Sequence, residues 1–137
     1  MKDAGLTSFR LDARHRGVLL QGRSREWLIG ASMNENWLHV YTIVCTIPGE
    51  PGIRARLFEA LMIANASQTL AKFVAGPGIL CLEVDYRAEH IDAAVLNNIV
   101  SHVHRTSEEQ YPKIFRIVSG DEVLRELGTQ LATPEAA

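Results

Sequence analysis

The side chains of this 137-residue chain that can do chemistry are five histidines, two cysteines and a scatter of carboxylates. His102 and His104 lie two apart on a stretch with helical spacing, so they project about 200° apart and cannot grip one ion together. His90 stands near the start of that stretch, and His39 is alone on a strand. No CxxC or HExxH spacing accompanies them, so neither a metal nor another cofactor is expected. Cys45 and Cys81 sit in apolar strand patterns with no obvious cation beside them, which raises a thiol pKa and makes a poor nucleophile. Glu83 and Asp85 fall on one face of a strand, with Glu89 just beyond it. A solvated face accounts for these carboxylates better than acid–base work does. AGPGI (75–79) lacks the spacing and the following Lys-Ser/Thr of a phosphate loop, and its flanks say hairpin. No catalytic residue is expected, and the chain reads as a non-enzyme.

The elements that position these residues follow from periodicity. Residues 1–17 form a poorly defined arm; Phe9 and Leu11 alternate as in a short edge strand, with HRG (15–17) as a turn. VLLQG (18–22) and REWLIGASM (25–33) read as strands separated by GRSR, and MNEN (33–36) as a polar turn into the strand over 37–47. IPGEPG then stops the sheet. Ile53, Leu57, Leu61 and Ala64 recur at helical spacing, with Glu50 and Pro51 suited to the helix start and a fade near Asn65–Ser67. A hairpin follows, with strands over 69–75 and 79–86 about a Gly-Pro-Gly turn. Leu80, Leu82, Val84 and Tyr86 share one face of its second strand, an alternation missing from 37–47 that places this strand nearer a sheet edge. Ile91, Val95, Ile99 and Val103 mark a long helix, which Pro112 is expected to end or kink. Ser119 to Glu122 fits a capping box for a short helix at 119–128, before a frayed tail at 129–137. The order implies one α+β domain over 1–137: an antiparallel β-sheet with helices packed on it.

The strand WLHVYTIVCTI (37–47) poses the question that decides function. Trp37, Tyr41, Ile43, Cys45 and Ile47 point one way, interrupted by His39; Leu38, Val40 and Val44 point the other. One helical layer explains one of these faces. The second needs its own cover, from the segment at 119–128 or from a second subunit. Trp27 and Trp37 flank a tight turn on adjacent strands and are expected close together across the ladder. Core packing is their default role, and a ring that reaches the uncovered face becomes a partner anchor. The residues assigned to partner or dimer contact are Trp27, Trp37, Leu38 and Val40.

Composition excludes several classes of function. An apolar fraction of 47% and a charged fraction of 22% are those of a globular domain. No apolar run approaches the roughly 18 residues of a bilayer span, and the N-terminus carries no secretory signal pattern, so a cytoplasmic protein is expected with no membrane partner. In that compartment Cys45 and Cys81 are expected as buried free thiols, although the sequence leaves a bridge between them open. Net charge is −2, unevenly spread: residues 1–25 hold six cations against two anions, and residues 79–137 hold ten anions against five cations. A basic arm can meet nucleic acid, an anionic membrane or the acidic half of a second copy. Aromatics are sparse around those arginines and no nucleic-acid motif is present, so a solvated face is the better reading.

The stretch LFEALMIANASQTLAKFVAGPGILCLEVDYRAEHIDAAVLNNIVSHVHRTSEEQYPKI carries a resemblance as a unit. An apolar helix ends near Ala64–Asn65, KF enters a strand, a glycine turn leads to ILCLEVDY, and a helix spaced as IDAAVLNNIV runs to a closing YP. From Trp27 to about Phe115 the chain resembles the fold shared by type III secretion chaperones and the YbjN family of bacterial sensory transduction regulators. The resemblance implies a small cytoplasmic α+β protein, usually a homodimer, without enzyme activity. Secretion chaperones hold an unfolded segment of a partner along their surface. Two departures favour the YbjN-like branch: residues 1–17 show no opening amphipathic helix, and a pI near 6.2 with a basic arm is less acidic than a secretion chaperone. The expected function is therefore chaperone-like or regulatory protein binding by a homodimer, with an unidentified protein or extended peptide as partner. A small-molecule-sensing regulatory domain and a dedicated type III secretion effector chaperone are the alternatives.

Overall fold

The protein is described by a computed structural model that covers residues 8–10 and 15–120. Six strands form one sheet: β1 (Ser8–Arg10), β2 (His15–Gln21), β3 (Glu26–Met33), β4 (Trp37–Thr46), β5 (Lys72–Gly76) and β6 (Ile79–Arg87). Their spatial order is β1-β2-β3-β4-β6-β5, and every neighbouring pair is antiparallel. Helix α1 (Pro51–Ser67) connects β4 to β5, and α2 (Ala93–Val118) follows β6 after one 3₁₀ turn at Ala88–His90. Both helices lie on one face of the sheet, giving the α+β order that the sequence implied. α2 packs on β3, β4 and β6, while α1 packs on α2 and β5.

Local chemistry explains where the elements begin and end. Glu50 caps α1 by accepting from the backbone N–H groups of Gly52 (2.9 Å) and Ile53 (2.6 Å), which lowers its carboxyl pKa, and Pro51 supplies the first turn. Asp92 caps α2 through the Val95 N–H at 2.8 Å. The β5–β6 hairpin turns through Pro77 and Gly78, whose φ of 75° is a conformation that glycine takes without strain. Val18, Trp27, Ile29, Val40, Val44, Leu57, Leu80, Leu82, Val100 and Val103 form the centre of the core between sheet and helices.

Three expectations change. HRG (15–17) is not a turn but the first part of β2, paired residue for residue with β3. β6 does sit nearer an edge than β4, second in from it between β4 and β5, and its alternation also reflects that helices cover only one face of this sheet. Pro112 neither ends nor breaks α2, which runs through it for 26 residues. Ile114 and Ile117 are buried beyond the proline, so tertiary packing of the last turns outweighs the missing backbone bond. The expected register of β4 also fails at its end. The pairing slips between Ile43 and Cys45, and beyond the slip Cys45 packs against the core and Ile47 is buried, instead of sharing the face of Ile43. The helix expected at 119–128 and the tail at 129–137 lie outside the described residues past Gly120.

One polar contact fastens α2 to the β2–β3 turn. The indole N–H of the fully buried Trp27 donates to Glu108 Oε1 at 2.5 Å, and the Arg23 backbone N–H donates to Oε2 at 3.0 Å. Tyr111 meets the Trp27 ring edge-on at 5.3 Å, and the Arg25 guanidinium lies 3.9 Å from its centroid. Gly22 leaves room for this arrangement, since a Cβ there would fall 1.9 Å from Glu108 Oε1. The hydrogen bonds from Arg23 and then Trp27 lower the Glu108 pKa. Glu108→Ala leaves a buried indole N–H without an acceptor and is expected to cost about 1–3 kcal/mol in chemical denaturation. Because the folded pKa is depressed, this contribution is complete above the ordinary glutamate pKa. Its charge-dependent part is lost as pH falls through the lowered value, so the stability gap between wild type and variant should narrow under acid, the protonated carboxyl still accepting from the indole.

Candidate functional site

In this antiparallel sheet alternate residues project to opposite faces, and the helices cover one of them. On β4 the covered side holds Leu38, Val40, Thr42 and Val44, all buried. The outer side holds Trp37, His39, Tyr41 and Ile43. Register carries an apolar row across this outer face. Leu19 on β2 pairs with Leu28 on β3; Ile43 on β4 pairs with Cys81 on β6, which pairs with Val74 on β5. Leu28 and Ile43 are neighbours one step beyond the Ile29–Thr42 pair. Leu19 is 51% exposed, Leu28 40%, Ile43 50% and Val74 41%, and Ile79 at 40% extends the row. Between β3 and β4 the surface dips into a hollow of about 260 Å³ lined by Leu28, Gly30, Tyr41 and Ile43, with Arg25 at its rim.

Tyr41 lies flat across this face because the strand beside it carries a glycine. A Cβ on Gly30 would sit 2.6 Å from Tyr41 Cζ, so only glycine lets the ring lie against β3. The next residues along β4 and β6 are polar. His39 pairs directly with Asp85, Nδ1 to Oδ1 at 2.5 Å, and Glu83 stands beside them on the same face. Burial, then the Asp85 charge, raise the Glu83 pKa. The structure thus joins His39 to two carboxylates and not to either cysteine. Both cysteines are free thiols whose pKa burial pushes up, so neither resembles an activated nucleophile.

Of the four residues assigned to partner contact, three lie in the core. Trp27 is 0% exposed, Leu38 4% and Val40 0%, all on the helical side of the sheet, where no partner reaches them. The two tryptophans do not meet. Trp27 pairs with Leu20 near the β2–β3 turn, whereas Trp37 pairs with Arg87 at the other end of the ladder and on the opposite face. Trp37, 38% exposed with the Arg87 guanidinium 5.3 Å from its ring centroid, is the one at the surface. Leu19, Leu28, Ile43 and Val74 were missed as contact residues. Their signal was the second face of the strands, but which face the helices choose is a tertiary fact that no single strand reveals.

The sheet edge at β5 is closed by a side chain. The Asn65 amide pairs with both backbone groups of Phe73, accepting from its N–H at 2.7 Å and donating to its carbonyl at 3.0 Å. Asn65 therefore occupies the place that a further strand would take. Lys72 reinforces this latch: its ammonium donates to the carbonyls of Asn65 (2.7 Å) and Gln68 at the C-terminal end of α1. An extended partner segment cannot add to β5 at Phe73 while Asn65 holds it.

No family model and no curated protein matches the sequence. Among solved structures, the chain is similar to one in the heterodimeric ExoU–SpcU complex from the type III secretion system of Pseudomonas aeruginosa. The two are 14% identical, with a TM-score of 0.54 over 80% of this chain and 89% of that one. At that identity the likeness is one of architecture: this chain has a type III secretion chaperone-like α+β fold. No described helix is long and apolar enough to cross a membrane.

The Asn65 latch yields a test. Asn65→Ala uncovers the Phe73 backbone and is expected to destabilise the protein by about 1–2 kcal/mol while releasing a pairing edge. Hydrogen exchange should then show its largest acceleration at the Phe73 amide, beyond the smaller general increase that the lost stability brings to amides in the centre of β4.

Proposed function

We propose that this chain is a non-catalytic, chaperone-like protein-binding domain of the YbjN-like regulatory kind, working in the cytoplasm as a homodimer through its outer sheet face. The observation that carries this reading is the apolar row Leu19–Leu28–Ile43–Cys81–Val74 on the side of the sheet away from the helices. Magnitudes fix the kind of contact. Full burial of a leucine, isoleucine or valine is worth roughly 1.5–3 kcal/mol, so completing the burial of these half-covered side chains adds about 1 kcal/mol each. Two copies packed face to face gain roughly 10 kcal/mol. Association costs about 4–15 kcal/mol in lost freedom, so the same face supports a reversible dimer and not an obligate one.

A reversible contact is what a binding domain needs, because a partner protein can then compete for the surface. The likeness to a chain from a heterodimeric secretion complex favours a second occupant of the same face, a heterologous protein that displaces the twin. The sequence of residues 1–17 shows no amphipathic helical spacing, which supports the regulatory branch over a dedicated effector chaperone.

Light scattering across a concentration series tests the proposal. The mass is expected to rise from 15.2 kDa toward twice that value as concentration passes through the micromolar range. Ile43→Lys should hold the protein at the single-chain mass with thermal stability within about 0.5 kcal/mol of wild type, since position 43 is half exposed in the single chain. A mass of 15.2 kDa at every concentration overturns the homodimer, and an Ile43→Lys protein that still doubles overturns the outer face as its interface.

A further inference from the structure

We infer that His39, Glu83 and Asp85 form a binding site for one divalent transition ion of the Zn²⁺ class on the outer face of the sheet. One ligand atom from each residue lies within 4.8 Å of the other two. Donors bonded to one ion at about 2.0–2.2 Å lie up to roughly 4 Å apart, so small rotamer changes bring all three onto it. One imidazole nitrogen with two carboxylate oxygens suits a borderline ion, and water can complete the shell because Asp85 is exposed and the other two are half-buried.

Two features of the surroundings support the assignment. First, the donors stand on β4 and β6, adjacent interior strands paired without a break from Trp37–Arg87 to Ile43–Cys81, so their separation is held by the ladder. Second, Lys72 is the cross-strand partner of Glu83, yet its ammonium turns away to the Asn65 and Gln68 carbonyls. Glu83 and Asp85 therefore repel each other with His39 as the neighbouring countercharge, a repulsion that a divalent ion relieves. The contact behind the imidazole must yield to the ion. Asn34 Oδ1 accepts from the backbone N–H groups of Asn36 and Trp37, which turns its amide nitrogen toward His39 Nε2 at 3.4 Å. An ion on Nδ1 takes the place of the proton shared with Asp85, and that proton moves to Nε2 or to solvent. The Asn34 contact, already long for a hydrogen bond, then opens. His39 and Asp85 are 46 positions apart, so no short spacing in the sequence announces the site.

The site stands whether or not a second copy covers the sheet, and its test reads zinc and not mass. Zn²⁺ is titrated into the reduced full-length protein by calorimetry, with a chelator competition to fix the affinity. One ion per chain is expected to bind with a micromolar or tighter constant and to raise the melting temperature. His39→Ala and Asp85→Asn should each weaken binding at least tenfold. Asp85→Asn keeps the shape of an exposed side chain, so its effect does not depend on loss of the fold. A Cys45→Ser, Cys81→Ser double variant should bind as wild type does. Absence of zinc uptake at about 100 μM, uptake indifferent to both His39→Ala and Asp85→Asn, or uptake abolished by the cysteine changes overturns the site.

Discussion

Strand β4 has apolar side chains on both faces, and the two helices described in this chain lie on one of them. The sheet can be roofed on one side by α1 and α2 because Leu38, Val40, Thr42 and Val44 line up against Val84, Leu82 and Leu80 on β6. The same period of two sends Ile43, with Leu28 and Leu19 beyond it, outward. A polar outer face would have made the domain self-sufficient. Instead the outer surface offers half-covered aliphatic groups in register.

The rest of the molecule works to leave that face as the available one. α2 is fixed over the sheet by Glu108, which joins the buried Trp27 indole to the β2–β3 turn. α1 is tied to β5 by Asn65 and Lys72, and the tie closes the strand edge with a side-chain amide. Closing an edge this way prevents open-ended strand addition, the hazard of any exposed sheet. The flat of the sheet stays open, where Tyr41 over Gly30, the hollow beside Ile43 and the His39–Asp85 pair supply shape and polarity to an otherwise greasy surface.

Much of this was legible in the residues. Glu50–Pro51 at the start of α1, the Gly-Pro-Gly hairpin and the alternation Leu80–Leu82–Val84 each rest on local chemistry, and local chemistry is what a sequence states directly. The two-faced character of β4 was legible for the same reason. What failed depended on tertiary contacts. Pro112 breaks a helix in isolation, yet burial of Ile114 and Ile117 carries α2 through it. Ile47 obeys a simple alternation until a one-residue slip after Ile43 moves it into the core. Trp27 looked like an anchor because large aromatics often are. Its indole N–H finds Glu108, 81 positions away, and that partner makes it a core residue. The His39 cluster was hidden likewise, since its donors meet only when β4 and β6 pair.

Cys81 lies in the middle of the outer row, between Ile43 and Val74, and offers a direct probe of whether that row is covered. With Cys45 replaced by serine, the rate of Cys81 alkylation is measured from submicromolar to several hundred micromolar protein. A rate that falls severalfold with rising concentration, at constant reagent excess, is the predicted result. A rate constant unchanged over the whole range would show the outer face bare to water at all concentrations and contradict the account.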